Sequence, residues 1–116
     1  MAPLELSTAL EGAAAVVSLY GELDLAGSPL LEEEVGRLTR NGQVATVVLD
    51  LRRLEFLDSS GLRAVALSQR RVEGAGQALV LVRGPETVQR VFEITRMVDR
   101  LRFVDSPDAV DAERSP

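Results

Sequence analysis

No cysteine, histidine, lysine or tryptophan occurs in the 116 residues, so all 13 basic residues are arginine. Each gap excludes a chemistry. Without cysteine there is no disulfide framework and no thiolate nucleophile. Without cysteine and histidine the commonest zinc ligands are missing, and no metal site is expected. A Ser–His–Asp triad cannot be assembled, nor can a lysine Schiff base or the lysine of a phosphate-binding loop. The expectation is a protein that is not an enzyme, with no catalytic residues and no cofactor.

Other scarcities narrow the class further. Aromatic residues make up only 3% of the chain, so the core has to be filled by Val, Leu, Ala and Ile. No stretch reaches the roughly 20 apolar residues that a membrane-spanning helix needs. Met-Ala-Pro-Leu-Glu at the start has neither the basic beginning nor the apolar block of a secretory signal. A cytoplasmic protein with no membrane partner is expected. The net charge of −5 and pI near 4.7 also speak against nucleic acid, which favours a basic surface that releases phosphate counterions.

What is present fits one α/β domain: 46% hydrophobic and 27% charged residues in a chain with room for a single core. The domain is placed over residues 1–105. Residues 106–116 are polar, carry two prolines and show no apolar stripe, and they are expected to fray. Leu4, Leu6, Thr8 and Leu10 alternate with polar or small residues, the period of a half-buried strand. Glu11-Gly12 turns the chain into the apolar run Ala14–Tyr20, and so short a link allows only an antiparallel hairpin. Ser28-Pro29 then reads as a capping hydroxyl followed by proline at the first helical position. In the helix that follows, Leu31, Val35 and Leu38 form the inward stripe, and Glu32, Glu33 and Glu34 face water.

The stretch from Val44 to Leu67 organises the rest. Val44, Ala45, Val47, Val48, Leu49 and Leu51 read as a strand buried on both faces. A charged turn and a small apolar cluster, Leu54, Phe56 and Leu57, lead to Asp58-Ser59-Ser60-Gly61, directly before a helix from about Ser60 to Val72. Backbone N–H groups without partners and the positive end of the helix dipole meet there, so the junction tolerates an anion. Asp and Ser are also the usual capping residues, which supplies a purely structural reading. The helix is expected to pack through Leu62, Val65, Ala66 and Gln69. Arg63, Ala64, Leu67, Arg70 and Arg71 then lie outside. An apolar Leu67 among arginines reads as part of a protein-binding surface. Ala78–Val82 gives a second strand buried on both faces, parallel to the first. Gly84-Pro85 opens a third helix with Val88, Val91, Phe92 and Thr95 on one face, and Phe103-Val104 closes with a short strand. A mixed sheet of four to five strands follows, with an antiparallel edge hairpin and helices packed on it.

Gly21-Glu22-Leu23-Asp24, the buried strand and Leu57-Asp58-Ser59-Ser60-Gly61-Leu62, at their mutual spacing, resemble the STAS-domain family and in particular the bacterial anti-sigma factor antagonists. The resemblance covers about Leu4 to Val104. It implies partner switching. The unphosphorylated protein binds an anti-sigma factor that is also a serine kinase and so frees a sigma factor. Phosphorylation by that kinase breaks the complex, and a phosphatase restores it. Carried onto this chain, Ser59 is the phosphate acceptor, flanked by Asp58 and Ser60, with Asp24 near the same surface. With Arg63 and Leu67 these make the expected partner-binding set. The chain departs from the family pattern at Arg96, where Gly commonly follows the threonine of the third helix, and in a shorter, more polar C-terminal region. The alternatives are a non-switching STAS module serving a transporter or scaffold, and a nucleotide-binding STAS domain.

Overall fold

A computed structural model describes residues 2–110. Alternating exposure along β1 (Glu5–Glu11) and an almost continuous buried run in β2 (Ala14–Leu23) form the expected hairpin, turned at Gly12 with φ of 62°. α1 (Ser28–Thr39) follows, then β3 (Thr46–Asp50), in which all five residues are buried. β4 (Leu54–Leu57) leads into α2 (Ser59–Gly74), followed by β5 (Ala78–Val82), α3 (Glu86–Ile94), a single 3-10 turn at Met97–Asp99, and β6 (Phe103–Val104).

The main path of the sheet runs β1-β2-β3-β5-β6, and β4 attaches separately to β2. The described residues form six strands, one or two more than expected, because Leu54–Leu57 forms a strand of its own. β2 therefore serves two parallel neighbours. Its first half, Ala14 to Ser18, pairs with β3, and its last residues, Gly21 to Leu23, pair with β4. The ladder is interrupted between Gly21 and Glu22. Gly21 has φ of 83°, and a Cβ there would sit 2.5 Å from the Pro3 carbonyl oxygen, so glycine is required at the bend.

Val and Leu side chains of the central strands face both ways. On one side Val17, Leu19, Val47, Leu49, Leu51 and Leu81 meet the apolar stripes of the helices, with Phe92 the bulkiest fully buried side chain. On the other side Val48, Val80, Val82 and Val104 pack against Val110 and Ala109. Val110, 3% exposed, packs on this second face although the tail shows no periodic stripe. The rest of that tail, 111–116, lies outside the described residues.

Two local expectations also change. Ser28 is not the cap of α1; its buried hydroxyl donates to the carbonyls of Asp24 at 2.7 Å and Ser60 at 3.2 Å, and Gly27 takes the capping position. The inward side of α2 consists of Ala64, Val65, Ser68 and Val72, whereas Leu62, Ala66, Leu67 and Gln69 are half-buried. The rotation has a cause. α1 lies beside α2, tied to it by the Ser28–Ser60 bond and by Arg71 Nη1 donating to the Glu32 carbonyl at 3.1 Å.

The triple glutamate of α1 is not uniformly solvated. Glu34 accepts a hydrogen bond from Thr8 of β1 at 2.5 Å and pairs with Arg37 at 2.7 Å. α3 ends at Ile94, before Thr95, whose exposed hydroxyl donates to the Val91 carbonyl rather than joining the apolar face. Arg96 then adopts a left-handed φ of 63°. That conformation suits glycine, and an L side chain pays roughly 1–2 kcal/mol for it.

Hydrogen bonding to Arg37, opposed by partial burial and assisted by Thr8, holds the Glu34 carboxyl below its ordinary 4.5. A carboxyl whose folded value is lowered stabilises the fold above its unfolded pKa, and that contribution is lost as pH falls through the folded value. In urea denaturation, the stability advantage of wild type over Glu34→Gln is expected to shrink as pH is taken from neutral to below 4.5. Arg96→Gly is expected to leave the fold unchanged and raise stability by up to about 1 kcal/mol in thermal denaturation.

Candidate functional site

The two sequence motifs meet because β2 and β4 are neighbours: Leu23 lies opposite Leu57, so Asp24 and Asp58 leave adjacent strands side by side. The first turn of α2 then folds back onto the end of β2. A Cβ on Gly61 would lie 2.2 Å from the Leu23 carbonyl oxygen and 2.7 Å from Leu57 Cδ1, so only glycine permits this approach. Asp58 caps the helix, its Oδ1 accepting the Gly61 N–H at 3.0 Å, and its own N–H points to the Leu23 carbonyl at 3.5 Å. The capping role anticipated for this aspartate is therefore its structural role.

Capping by Asp58 leaves Ser59 as the first residue of the helix. Ser59 is exposed, and its hydroxyl bonds no group among the described residues. Ser60 is half-buried, its carbonyl held by Ser28. Ser60, Arg63 and Leu67 come together with Leu25, Ser28 and Glu32 around a shallow hollow of about 230 Å³ between α1 and α2. Leu67 is half-buried there rather than fully outside, while Arg63 is exposed.

Asp24 stands slightly apart. Its Oδ1 accepts the Gly27 N–H at 2.9 Å, bracing the turn into α1, and it opens onto a separate hollow of about 290 Å³ shared with Glu22, Leu4 and Leu30. Its link to the serine junction runs through Ser28, whose hydroxyl is shared between the carbonyls of Asp24 and Ser60. Leu25 escaped the sequence reading although it is 75% exposed and lines the same hollow as Arg63 and Leu67. The available signal was an apolar residue directly after Gly-Glu-Leu-Asp, past the end of the strand. Glu32, expected with Glu33 and Glu34 on a solvated helix face, lines the hollow as well. Among the described residues no cluster of three acidic side chains could hold a metal, and no helix is long and apolar enough to cross a membrane.

The described residues thus form a mixed sheet with three helices against one face and an exposed serine at the head of the second helix. A family model described as Mlab, STAS domain, matches residues 6–104. The chain is 26% identical over 99 residues to an anti-sigma F factor antagonist of Lysinibacillus sphaericus, covering 85% of each. It is 32% identical over 97 residues to BtrV of Bordetella bronchiseptica, provisionally named an anti-sigma factor antagonist, covering 84% of this chain and 83% of that one. Among solved structures, the anti-sigma factor antagonist SpoIIAA in its unphosphorylated form superposes with a TM-score of 0.77 at 25% identity, covering 96% of both chains. The phosphorylated form of SpoIIAA, a Bacillus cell fate determinant, gives 0.70 at 24% identity over 96% of this chain and 99% of that one. The chain belongs to the STAS-domain family of anti-sigma factor antagonists.

Replacing Gly61 with Ala is expected to cost about 2–4 kcal/mol, since backbone has to move to admit the methyl group. Asp58→Ala, which removes only a cap, is expected to cost about 1 kcal/mol. Urea denaturation of the two variants side by side checks the order.

Proposed function

We propose that this protein binds an anti-sigma factor with serine kinase activity while Ser59 is unphosphorylated, thereby releasing a sigma factor, and that phosphorylation of Ser59 ends the complex. A phosphatase acting on phospho-Ser59 returns the protein to its binding form. The observation that carries this reading is the Ser59 hydroxyl itself: exposed, unpartnered among the described residues, and at the first turn of α2, the helix that carries Arg63 and Leu67 into the hollow. Its membership of a family whose relatives are named anti-sigma factor antagonists supports the choice of partner. The solved SpoIIAA, described in unphosphorylated and phosphorylated forms, supports the choice of switch.

The partner-binding surface in this reading comprises Asp24, Asp58, Ser59, Ser60, Arg63 and Leu67, with Leu25 added from its place at the hollow. A hollow of about 230 Å³ is smaller than the roughly 300–1,000 Å³ of typical small-molecule sites, which favours a protein partner over a nucleotide. Phosphate on Ser59 adds roughly −1.5 to −2 charges beside Asp58, at a surface the partner has to desolvate. Like-charge repulsion and the cost of burying the phosphate both oppose docking. A loss of about 3 kcal/mol weakens association more than a hundredfold, enough for a switch without any large rearrangement.

Incubation with the host's kinase-type anti-sigma factor and ATP is expected to add one phosphate, mapped to Ser59 by mass spectrometry and absent from Ser59→Ala. Ser59→Asp is expected to bind that anti-sigma factor at least tenfold more weakly by calorimetry. Phosphate on another residue, or unchanged affinity of the aspartate variant, overturns the reading.

A further inference from the structure

Resting on the assignment of Ser59 as the phosphate acceptor, we infer that Arg63 is the residue that receives the phosphate, so that phosphorylation withdraws a cation from the docking hollow as well as adding an anion beside it. Arg63 lies four residues after Ser59, one turn further along the same face of α2. Its guanidinium is exposed, and no carboxylate or carbonyl among the described residues holds it. Arg37, Arg52, Arg83 and Arg90, by contrast, each pair with a carboxylate.

The order of the pair is the favourable one, with the anion nearer the helix N-terminus and the cation at i+4. A guanidinium presents parallel N–H donors that match two phosphate oxygens, which an ammonium cannot do. The nearest acidic alternatives are not equivalent partners for Arg63. Asp58 is committed to the Gly61 N–H. Glu32 shares the hollow with Arg63 yet forms no ion pair with it.

Before phosphorylation the hollow carries one cation and one anion, Arg63 and Glu32, among Leu25, Leu67 and the two serines. Once Arg63 turns to the phosphate, Glu32 is the one charged side chain left lining it. The face a partner meets thus changes from balanced to negative, at a point beyond direct contact with the phosphate.

The test uses full-length protein with phosphoserine incorporated at position 59 during synthesis, so that it does not depend on whether any kinase selects Ser59. The second pKa of the phosphate is read by phosphorus NMR in wild type, Arg63→Gln and Arg63→Lys. Asp58 and Glu32 are the same in all three, so differences report on residue 63. Wild type is expected to titrate about half a unit below Arg63→Gln, with Arg63→Lys between them. The Arg63 Nε–Hε signal of wild type is expected to move downfield on going from serine to phosphoserine. Equal titration of wild type and Arg63→Gln overturns the inference, as does an Arg63 signal that does not move. Either result leaves the choice of Ser59 as acceptor to be decided by the kinase assay alone.

Discussion

The close approach of the Gly61 backbone to the Leu23 carbonyl is the constraint on which the site depends. A methyl group at residue 61 would overlap that oxygen, so the first turn of α2 reaches the end of β2 only if this position lacks a side chain. Once it does, Asp58 falls at the cap and its carboxylate takes the Gly61 N–H. Ser59 is thereby left at the outer edge of the turn, its hydroxyl without a partner among the described residues. Exposure separates it from Ser60, which is half-buried with its backbone carbonyl taken by Ser28.

Around this contact the fold divides its tasks. Central strands buried on both faces supply rigidity, as expected for parallel strands covered on each side. α1 and α2 are joined by two bonds between side chain and backbone, one at each end of the shared groove, which fixes the width of the hollow containing Arg63 and Leu67. Acidic charge predominates overall, at −5, yet the helix that carries the serine places Arg63, Arg70 and Arg71 in solvent. The local charge on this helix is therefore unlike that of the molecule as a whole. Electrostatic contributions of this kind govern encounter and specificity more than bulk affinity.

Much of this was legible in the residues. The hairpin, the buried strands and the three helices each announce themselves by a period of two, by an unbroken apolar run, or by i, i+4, i+7 spacing. The serine junction was legible because capping is local chemistry. What escaped depends on tertiary neighbours. β4 is four residues long with two of them exposed, too short to show a period. Ala64 and Ser68 are buried, and such small side chains give little hydrophobic signal. Ser28-Pro29 has the local pattern of a cap, but its hydroxyl is taken by two carbonyls, one of them 32 residues away. Val110 gave no warning, since one apolar residue in a polar tail has no periodicity to reveal that a sheet face awaits it.

The lateral pairing of β2 with β4 has a consequence for how this design tolerates change. The two motifs are joined across a ladder rather than along the chain, so the lengths of α1 and of the loops that flank it and β3 are not fixed by the site. Lengthening any of these leaves Leu23 opposite Leu57. A single residue inserted between Leu57 and Gly61 is another matter, because it would swing every later side chain about 100° around the helix axis. Evolution can thus stretch the space between the motifs freely while the five-residue junction has to be kept letter for letter in length.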